Sequence, residues 1–334
     1  MNSFGKIFRI SIYGESHGPE VGVLIDGIKP GLTLTNEDFV SDLARRKPSI
    51  FGTPRKENDE VLIKSGVFNG YTTGAPILIC TENKNTNSKD YTTLKYHFRP
   101  SHSDFTANYK YSGYNDYRGG GHFSGRLTFG LVCASVVAKK IKNFDVTSEI
   151  ISLKGITDKS LFKNILEEAT LTGDSVGGIV KLTCTNPNIG LGEPFFDSFE
   201  SELSHLLFSV PAVKGVSFGA GFEGTKMYGS EYNDSILDNS GHTKTNHDGG
   251  INGGLTNGNK IEVYVAIKPT PSIKKSQETF NFKENKIEEL KIEGRHDTAI
   301  ILRILVVLES CLNICLTDFY LRNKVYEWFD KKQY

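Results

Sequence analysis

The sequence predicts an α+β fold, built as a single unit over residues 1–334. Three observations carry this. Strand-like and helix-like runs are interspersed along the chain. No low-complexity linker divides it. A glycine-rich segment at 65–77 also recurs at 249–261, each copy a turn leading into a strand.

Residues 8–13 and 21–25 read as strands around the loop 14–18. Residues 35–44 read as a helix, with Thr35 as N-cap and Asp38 three residues on. It should stop at Arg45, Arg46 and Lys47, because Pro48 disfavours helical geometry in the residue before it. Strands follow at 61–64 and 76–81. Residues 124–142 carry the strongest helical pattern, with Leu127, Leu131, Val132, Ser135 and Val136 on one side. Two more helices are expected at 158–168 and 196–208, and strands at 178–184, 215–218 and 260–267. Residues 299–328 read as mostly helical. The recurrence keeps Gly66/Gly250, Gly70/Gly254, Thr72/Thr256, Gly74/Gly258 and Ile77/Ile261 identical. Similar turn chemistry arising twice explains this. So does an ancient duplication, which predicts two half-structures related by a pseudo-two-fold axis.

Lys plus Arg and Asp plus Glu both number 39, so the net charge is zero. Bulk binding to nucleic acid or to an anionic membrane calls for a basic excess, which this chain lacks. Any anion site must come from local clustering. The five cysteines, Cys80, Cys133, Cys184, Cys311 and Cys315, contain no CxxC pair. They read as buried free thiols in a reducing compartment, with no metal site. The N-terminus lacks the apolar stretch of a signal peptide. The most apolar run, 299–308, is short and carries Arg303, so no transmembrane helix is expected and a cytoplasmic location is.

The most informative stretch is 99–128. It gathers Arg99, His102, Asp104, Lys110, Asp116, Arg118, His122 and Arg126 around Gly119, Gly120 and Gly121, directly before an apolar helix. Such a loop delivers cations and imidazoles to an anion at a helix start. Arg99 can neutralise a phosphate, and His102 can protonate a departing phosphate oxygen, which leaves badly as a trianion. The alternative is a histidine that only structures its loop. Glu15, Ser16 and His17 stand between glycines that free the backbone, which suits either proton transfer by His17 or a plain surface turn. Arg45, Arg46 and Lys47 complement a helix C-terminus whatever the function; with another arginine they could grip phosphate. Pro269 and Pro271 stiffen a segment where Lys268, Thr270 and Ser272 can ligate phosphate. Asp297 could instead cap the final helix. Gly219, Gly221 and Gly224 fit GxGxxG after a strand, but no amphipathic helix pattern follows, so a dinucleotide fold is not supported.

Together these motifs resemble one family nearly end to end, chorismate synthase. They are GESHG at 14–18, RRKP at 45–48, SGVFNGYTTGAP at 65–76, RPSHSD at 99–104 and the stretch 116–126. LGEPFF at 191–196, AVKG at 212–215, the stretch 249–258, KPTPSI at 268–273 and GRHD at 294–297 complete the set. The resemblance implies a β-α-β sandwich, helices packed between two antiparallel sheets, with internal pseudo-two-fold symmetry and a homotetrameric assembly. It implies a lyase that converts 5-enolpyruvylshikimate 3-phosphate to chorismate and phosphate by 1,4-anti elimination, the last shared step towards aromatic amino acids. Reduced FMN is required, with no net redox change. By resemblance, His17 protonates reduced flavin, His102 protonates the leaving phosphate, and Asp297 helps remove the ring proton through the flavin. Arg46, Arg99, Arg126 and Arg295, with Ser16, would bind substrate. His122, Phe123, Ser124, Pro211, Ala212, Gly253, Lys268, Pro269, Thr270, Pro271, Ser272 and Arg295 would contact FMN. No NADPH fingerprint is present, so an external flavin reductase is expected.

The chain departs from the family's common GGGRSSARET at 119–128. His122, Phe123, Gly125 and Leu127 stand where arginine, serine, alanine and glutamate are common, and Pro211 where many members have asparagine. Arg126 and Ser124 are kept. His122 would still meet flavin as a pH-dependent donor, and Phe123 could stack. Two other functions compete. One is a flavin-dependent oxidoreductase using the same site for net redox chemistry; elimination, by contrast, consumes no reductant per turnover. The other is a non-catalytic FMN- or metabolite-binding homologue, against which intact His17, His102 and Asp297 count.

Overall fold

The computed structural model describes residues 1–47, 59–84, 93–292 and 296–324. In the first half, β1 (Ser3–Phe4), β2 (Arg9–Gly14) and β3 (Glu20–Asp26) are followed by β4 (Leu62–Ile63). A hairpin of β5 (Val67–Phe68) and β6 (Tyr71–Thr72) then leads into β7 (Ile77–Glu82). β7 inserts between β3 and β4, giving an antiparallel sheet ordered β1-β2-β3-β7-β4. The second half contributes β8 (Val146–Leu153), β9 (Gly178–Cys184), β10 (Val213–Phe218), the hairpin β11 (Ile251–Asn252) and β12 (Leu255–Thr256), and β13 (Ile261–Ile267). Its sheet, also antiparallel, is ordered β10-β13-β9-β8. A separate hairpin joins β14 (Gln277–Asn281) to β15 (Lys286–Leu290).

The helices are α1 (Val40–Arg46), α2 (Asp104–Lys110), α3 (Thr128–Ile141), α4 (Phe162–Thr172), α5 (Phe199–Phe208), the one-turn α6 (Gly221–Gly224) and α7 (Gly229–Tyr232), and α8 (Ile301–Asn323). α3 lies on the first sheet, α8 on β8 and β9, and the two helices pack on each other; α1 and α5 flank α8. The fold is α+β, with helices between two antiparallel sheets.

Alternation explains which faces meet. Val21, Val23 and Ile25 of β3 stand opposite Thr81, Ile79 and Ile77 of β7, and all are fully buried. Along β13, Ile261, Val263, Val265 and Ile267 are buried while the residues between them are half-exposed. α3 and α8 are apolar nearly all round, as helices covered on every side must be. By length and composition α8 could cross a membrane, which the short run 299–308 did not suggest; 83% of its apolar window is buried inside the protein. It also carries buried polar anchors. Asp318 accepts the backbone N–H groups of Lys6 (3.1 Å), Ile7 (2.8 Å) and Phe8 (2.8 Å). Glu309 takes both arms of Arg45 at 2.6 and 2.7 Å and the Ser148 hydroxyl at 2.6 Å. Arg45 therefore ties α1 to α8. All five cysteines are buried and unpaired.

Four helices start later than their periodicity suggests, because a 3₁₀ turn precedes each: Gly125–Leu127, Lys159–Leu161, Phe195–Asp197 and, before α1, Asn36–Phe39. Ser124 and Asp158 cap the first two turns, and Ser198 caps α5 itself. The expected Thr35 cap is present, with Thr35 N–H donating to Asp38 at 2.9 Å. α2, β8, β14 and β15 were not anticipated. The end of the expected final helix, 325–328, lies outside the described residues.

The recurrence is structural. β5 and β6 fall position for position on β11 and β12, and each hairpin feeds a central strand. Thr72 Oγ1 donates to the Lys29 carbonyl (2.8 Å) and accepts from Leu32 N–H (2.9 Å). Thr256 Oγ1 donates to the Asn188 carbonyl (2.6 Å) and accepts from Leu191 N–H (2.9 Å). The orders β2-β3-β7-β4 and β8-β9-β13-β10 correspond, as a duplication predicts.

Candidate active site

The starts of α3 and α8 and the ends of α1 and α5 converge on a cavity of about 880 Å³. Arg46 enters from α1, Pro211 and Ala212 follow α5, Ser124 and Arg126 precede α3, and Asp297 and Arg303 flank the start of α8. Two helix N-termini facing one space favour negative charge there.

The triple glycine makes the site possible. Gly119, Gly120 and Gly121 all have positive φ (58°, 81° and 53°). A Cβ on Gly119 would lie 2.6 Å from His17 Cδ2, and one on Gly120 would lie 3.4 Å from His102 Cε1. Both imidazoles thus rest on adjacent glycines. Ser16 N–H donates to the Gly121 carbonyl at 3.0 Å. Ser16 Oγ is buried and makes no hydrogen bond. Arg118 is committed to Asp116 through Nε and one terminal nitrogen, both at 2.8 Å, so it braces the loop.

His102 Nδ1 lies 2.6 Å from Asp104 Oδ1. Behind it, Arg99 forks onto Asp104 at 2.7 and 2.8 Å and donates to Ser272 Oγ at 2.8 Å. Arg99 does not line the cavity. Burial opposes charge on Asp104, but the Arg99 and His102 hydrogen bonds outweigh it and hold the carboxyl well below the usual range. Burial lowers the His102 pKa, the Asp104 bond opposes this, and the Arg99 and Lys268 charges add to the lowering.

Arg46 and Arg126 are buried together and share one carboxylate, Asp59. Arg46 Nε donates to it at 3.1 Å, and Arg126 Nε donates to Asn83 Oδ1 at 3.1 Å. Burial works against the Asp59 charge, and the two guanidinium charges prevail, lowering its pKa. Lys268 Nζ donates to the Ser101 carbonyl at 2.7 Å, and Thr270 Oγ1 to the Asp297 carbonyl at 2.6 Å. α8 begins after Ile300, so Asp297 is not its cap. The Asp297 carboxylate faces Arg303 Nε at 2.8 Å as an ion pair, outside hydrogen-bond angles. Pro271 and Ser272 line the cavity; Pro269 lies beside it without lining it. Gly253 sits in the β11–β12 turn, away from the lining. Arg295, like Pro48 and Gly294, lies outside the described residues. Sequence reasoning did not single out Asp59, Asn83 or Arg303. Nothing local marks them, because each gains meaning only through a partner distant in the chain or, for Arg303, through the helix register.

The profile of the chorismate synthase family matches residues 8–321. The chain belongs to this family. It is 54% identical over 324 residues to the chorismate synthase of Chitinophaga pinensis, covering 96% of this chain and 97% of that protein. It is 41% identical over 366 residues to that of Methanocaldococcus jannaschii, covering 96% and 97%. It is 42% identical over 351 residues to that of Pyrococcus abyssi, covering 97% and 98%. A crystal structure of a chorismate synthase aligns with a TM-score of 0.73 at 25% identity, over 96% of this chain and 93% of that one.

In this chorismate synthase family member, residues 122–127 make contacts that shape the cavity wall. His122 Nδ1 donates to the Gly14 carbonyl at 2.7 Å, and Nε2 stands 3.1 Å from Asn2 Oδ1. His122 thus joins the N-terminal strand to the loop bearing His17. Phe123 keeps 41% of its surface exposed at the cavity, next to Tyr111 at 6.3 Å between ring centres. Leu127 is buried.

Proposed function

We propose that this protein is an active chorismate synthase. It would act as a lyase, eliminating phosphate from 5-enolpyruvylshikimate 3-phosphate to give chorismate, with reduced FMN bound and no net redox change. One observation carries the reading: His17 and His102 rest on adjacent glycines in one cavity whose wall also holds Arg46, Arg126 and Lys268. A substrate with a phosphate and two carboxylates needs such clustered cations in a neutral protein.

The residues present fit a flavin. The buried Ser16 hydroxyl and the Asp297 carboxylate lack hydrogen-bond partners, and Phe123 offers an exposed ring. His122, Phe123, Ser124, Pro211, Ala212, Lys268, Pro269, Thr270, Pro271 and Ser272, with Arg295, would hold it. Gly253 belongs to the same proposal from outside the cavity lining. When bound, reduced FMN supplies an electron-rich ring beside a weakly acidic C–H bond.

Arg46 and Arg126 would orient the anionic substrate. His102 would gain its second proton as the polyanion arrives and give it from Nε2 to the departing phosphate oxygen. Asp297 would help remove the ring proton lost in the elimination, and His17 would hold a proton beside Gly119. By family resemblance the proposal also includes a cytoplasmic homotetramer served by an external flavin reductase.

Anaerobic incubation with reduced FMN and 5-enolpyruvylshikimate 3-phosphate should give chorismate and phosphate in equal amounts, with flavin unconsumed. Flavin oxidised in step with product would favour the oxidoreductase reading. FMN binding without product would favour the non-catalytic homologue.

A further inference from the structure

We propose that Asp104 is a positioning residue for His102: clamped by Arg99, its carboxylate fixes the imidazole with hydrogen on Nδ1 and leaves Nε2 to serve the leaving phosphate. The inference rests on the elimination reading above.

The geometry is specific. Asp104 opens α2 and is buried. It accepts from the Arg99 backbone N–H at 3.2 Å and from Arg99 Nε and a terminal nitrogen at 2.7 and 2.8 Å. Its Oδ1 also lies 2.6 Å from His102 Nδ1. Arg99 Nη2 and Ser103 Oγ also approach Nδ1, at 3.1 and 3.4 Å, but Arg99 Nη2 already donates to Asp104 Oδ1 at the shorter 2.8 Å. A charged carboxylate oxygen 2.6 Å from a ring nitrogen can only accept, and two lone pairs at that distance would repel, so the hydrogen sits on Nδ1. Nε2 is then the nitrogen that gains and loses the second proton. It lies 3.6 Å from where a Cβ on Gly120 would be, so the glycine leaves that edge of the ring clear.

The same contacts reassign Arg99. Its Nε and one arm bind Asp104, and its other arm binds Ser272. It supports His102 from behind, through its clamp on Asp104 and through its own approach to Nδ1 at 3.1 Å. The charged groups around the imidazole are Asp104 and Arg99 on its own segment and Lys268 from the loop after β13, with His17 across the glycines and His296 near Arg99. Arg99 and Lys268 oppose an imidazolium. Asp104 supports it, and its loss would leave Arg99 uncompensated beside the ring.

The test uses Asp104→Asn in the full chain with reduced FMN. Turnover should fall about 100-fold while KM changes little. The basic limb of the kcat profile should move about one pH unit lower, since the imidazolium loses its carboxylate. Nitrogen NMR of the wild-type protein without ligand should show His102 as the neutral Nδ1–H tautomer, and that preference should weaken in the variant. Asp104→Glu should restore part of the limb. A wild-type Nε2–H tautomer would overturn the proposal. So would a variant that loses turnover with its pH limb and tautomer unchanged, the mark of a merely structural role. Wild-type turnover is the separate control: if it yields no chorismate, the elimination reading fails, and the wild-type tautomer still decides the role of Asp104.

Discussion

At Gly119, a single methyl group would collide with His17, and a side chain would have to adopt a φ of +58°. Gly119→Ala should destabilise the protein by about 1–3 kcal/mol. Turnover should fall further than that loss explains, because His17 must move. Urea unfolding and steady-state rates check this, and unchanged turnover would refute the role given to His17. His102→Ala should cut turnover heavily with modest loss of substrate affinity. The pH behaviour follows from the lowered pKa of His102. The fold favours the neutral ring, so its contribution to stability is present above the ordinary value of 6.5 and is lost as pH falls towards the lowered one. A polyanionic ligand reverses that preference. Binding near neutral pH should therefore take up protons, read by calorimetry in buffers of different ionisation enthalpy; zero uptake would count against His102 as the acid. At this scale the glycines, His17 and His102 were legible because their chemistry is written in adjacent letters. Asp59 was not, since it meets Arg46 and Arg126 only in three dimensions.

Among the elements, α8 is tied at both ends of its buried length. Asp318 collects three backbone N–H groups from residues 6–8. Asp318→Ala would leave those donors without their acceptor, and should cost about 3 kcal/mol by chemical denaturation. A loss under half of that would mean the N-terminal segment finds other partners. Strands β3, β7, β9 and β13 were readable from β-branched runs and alternation. β8 offered an alternation too, with Val146, Ser148 and Ile150 between the exposed Thr147 and Glu149, but its polar content hid it. Helix starts shifted because periodicity runs through a 3₁₀ turn without marking where the hydrogen-bond pattern changes.

For the molecule as a whole, the matched hairpins make a symmetric prediction. Thr72→Val and Thr256→Val each remove a hydroxyl that donates to one carbonyl and accepts one N–H. Each should cost about 1–3 kcal/mol, and the two costs should add, because the sites lie in different sheets. A large difference between them would show that the repeated geometry no longer carries equal weight. The duplication was half-legible: five shared letters suggested it, while the agreement of strand order needed coordinates.

The packing of α3 against α8 has a consequence for how the site keeps its dimensions. The proton donor proposed at His102 belongs to the first half and the acceptor proposed at Asp297 to the second. His102 rests on Gly120 in the loop that enters α3, Asp297 precedes α8, and these two helices pack on each other along one seam. That seam acts as a caliper. Any sequence change that widens it, even by the thickness of a methyl group far from the cavity, resets the distance between the two ends of the proton route. Core residues such as Val132 and Val136 of α3 and Leu308 and Leu312 of α8, none of which lines the cavity, are in this sense part of the geometry of the site.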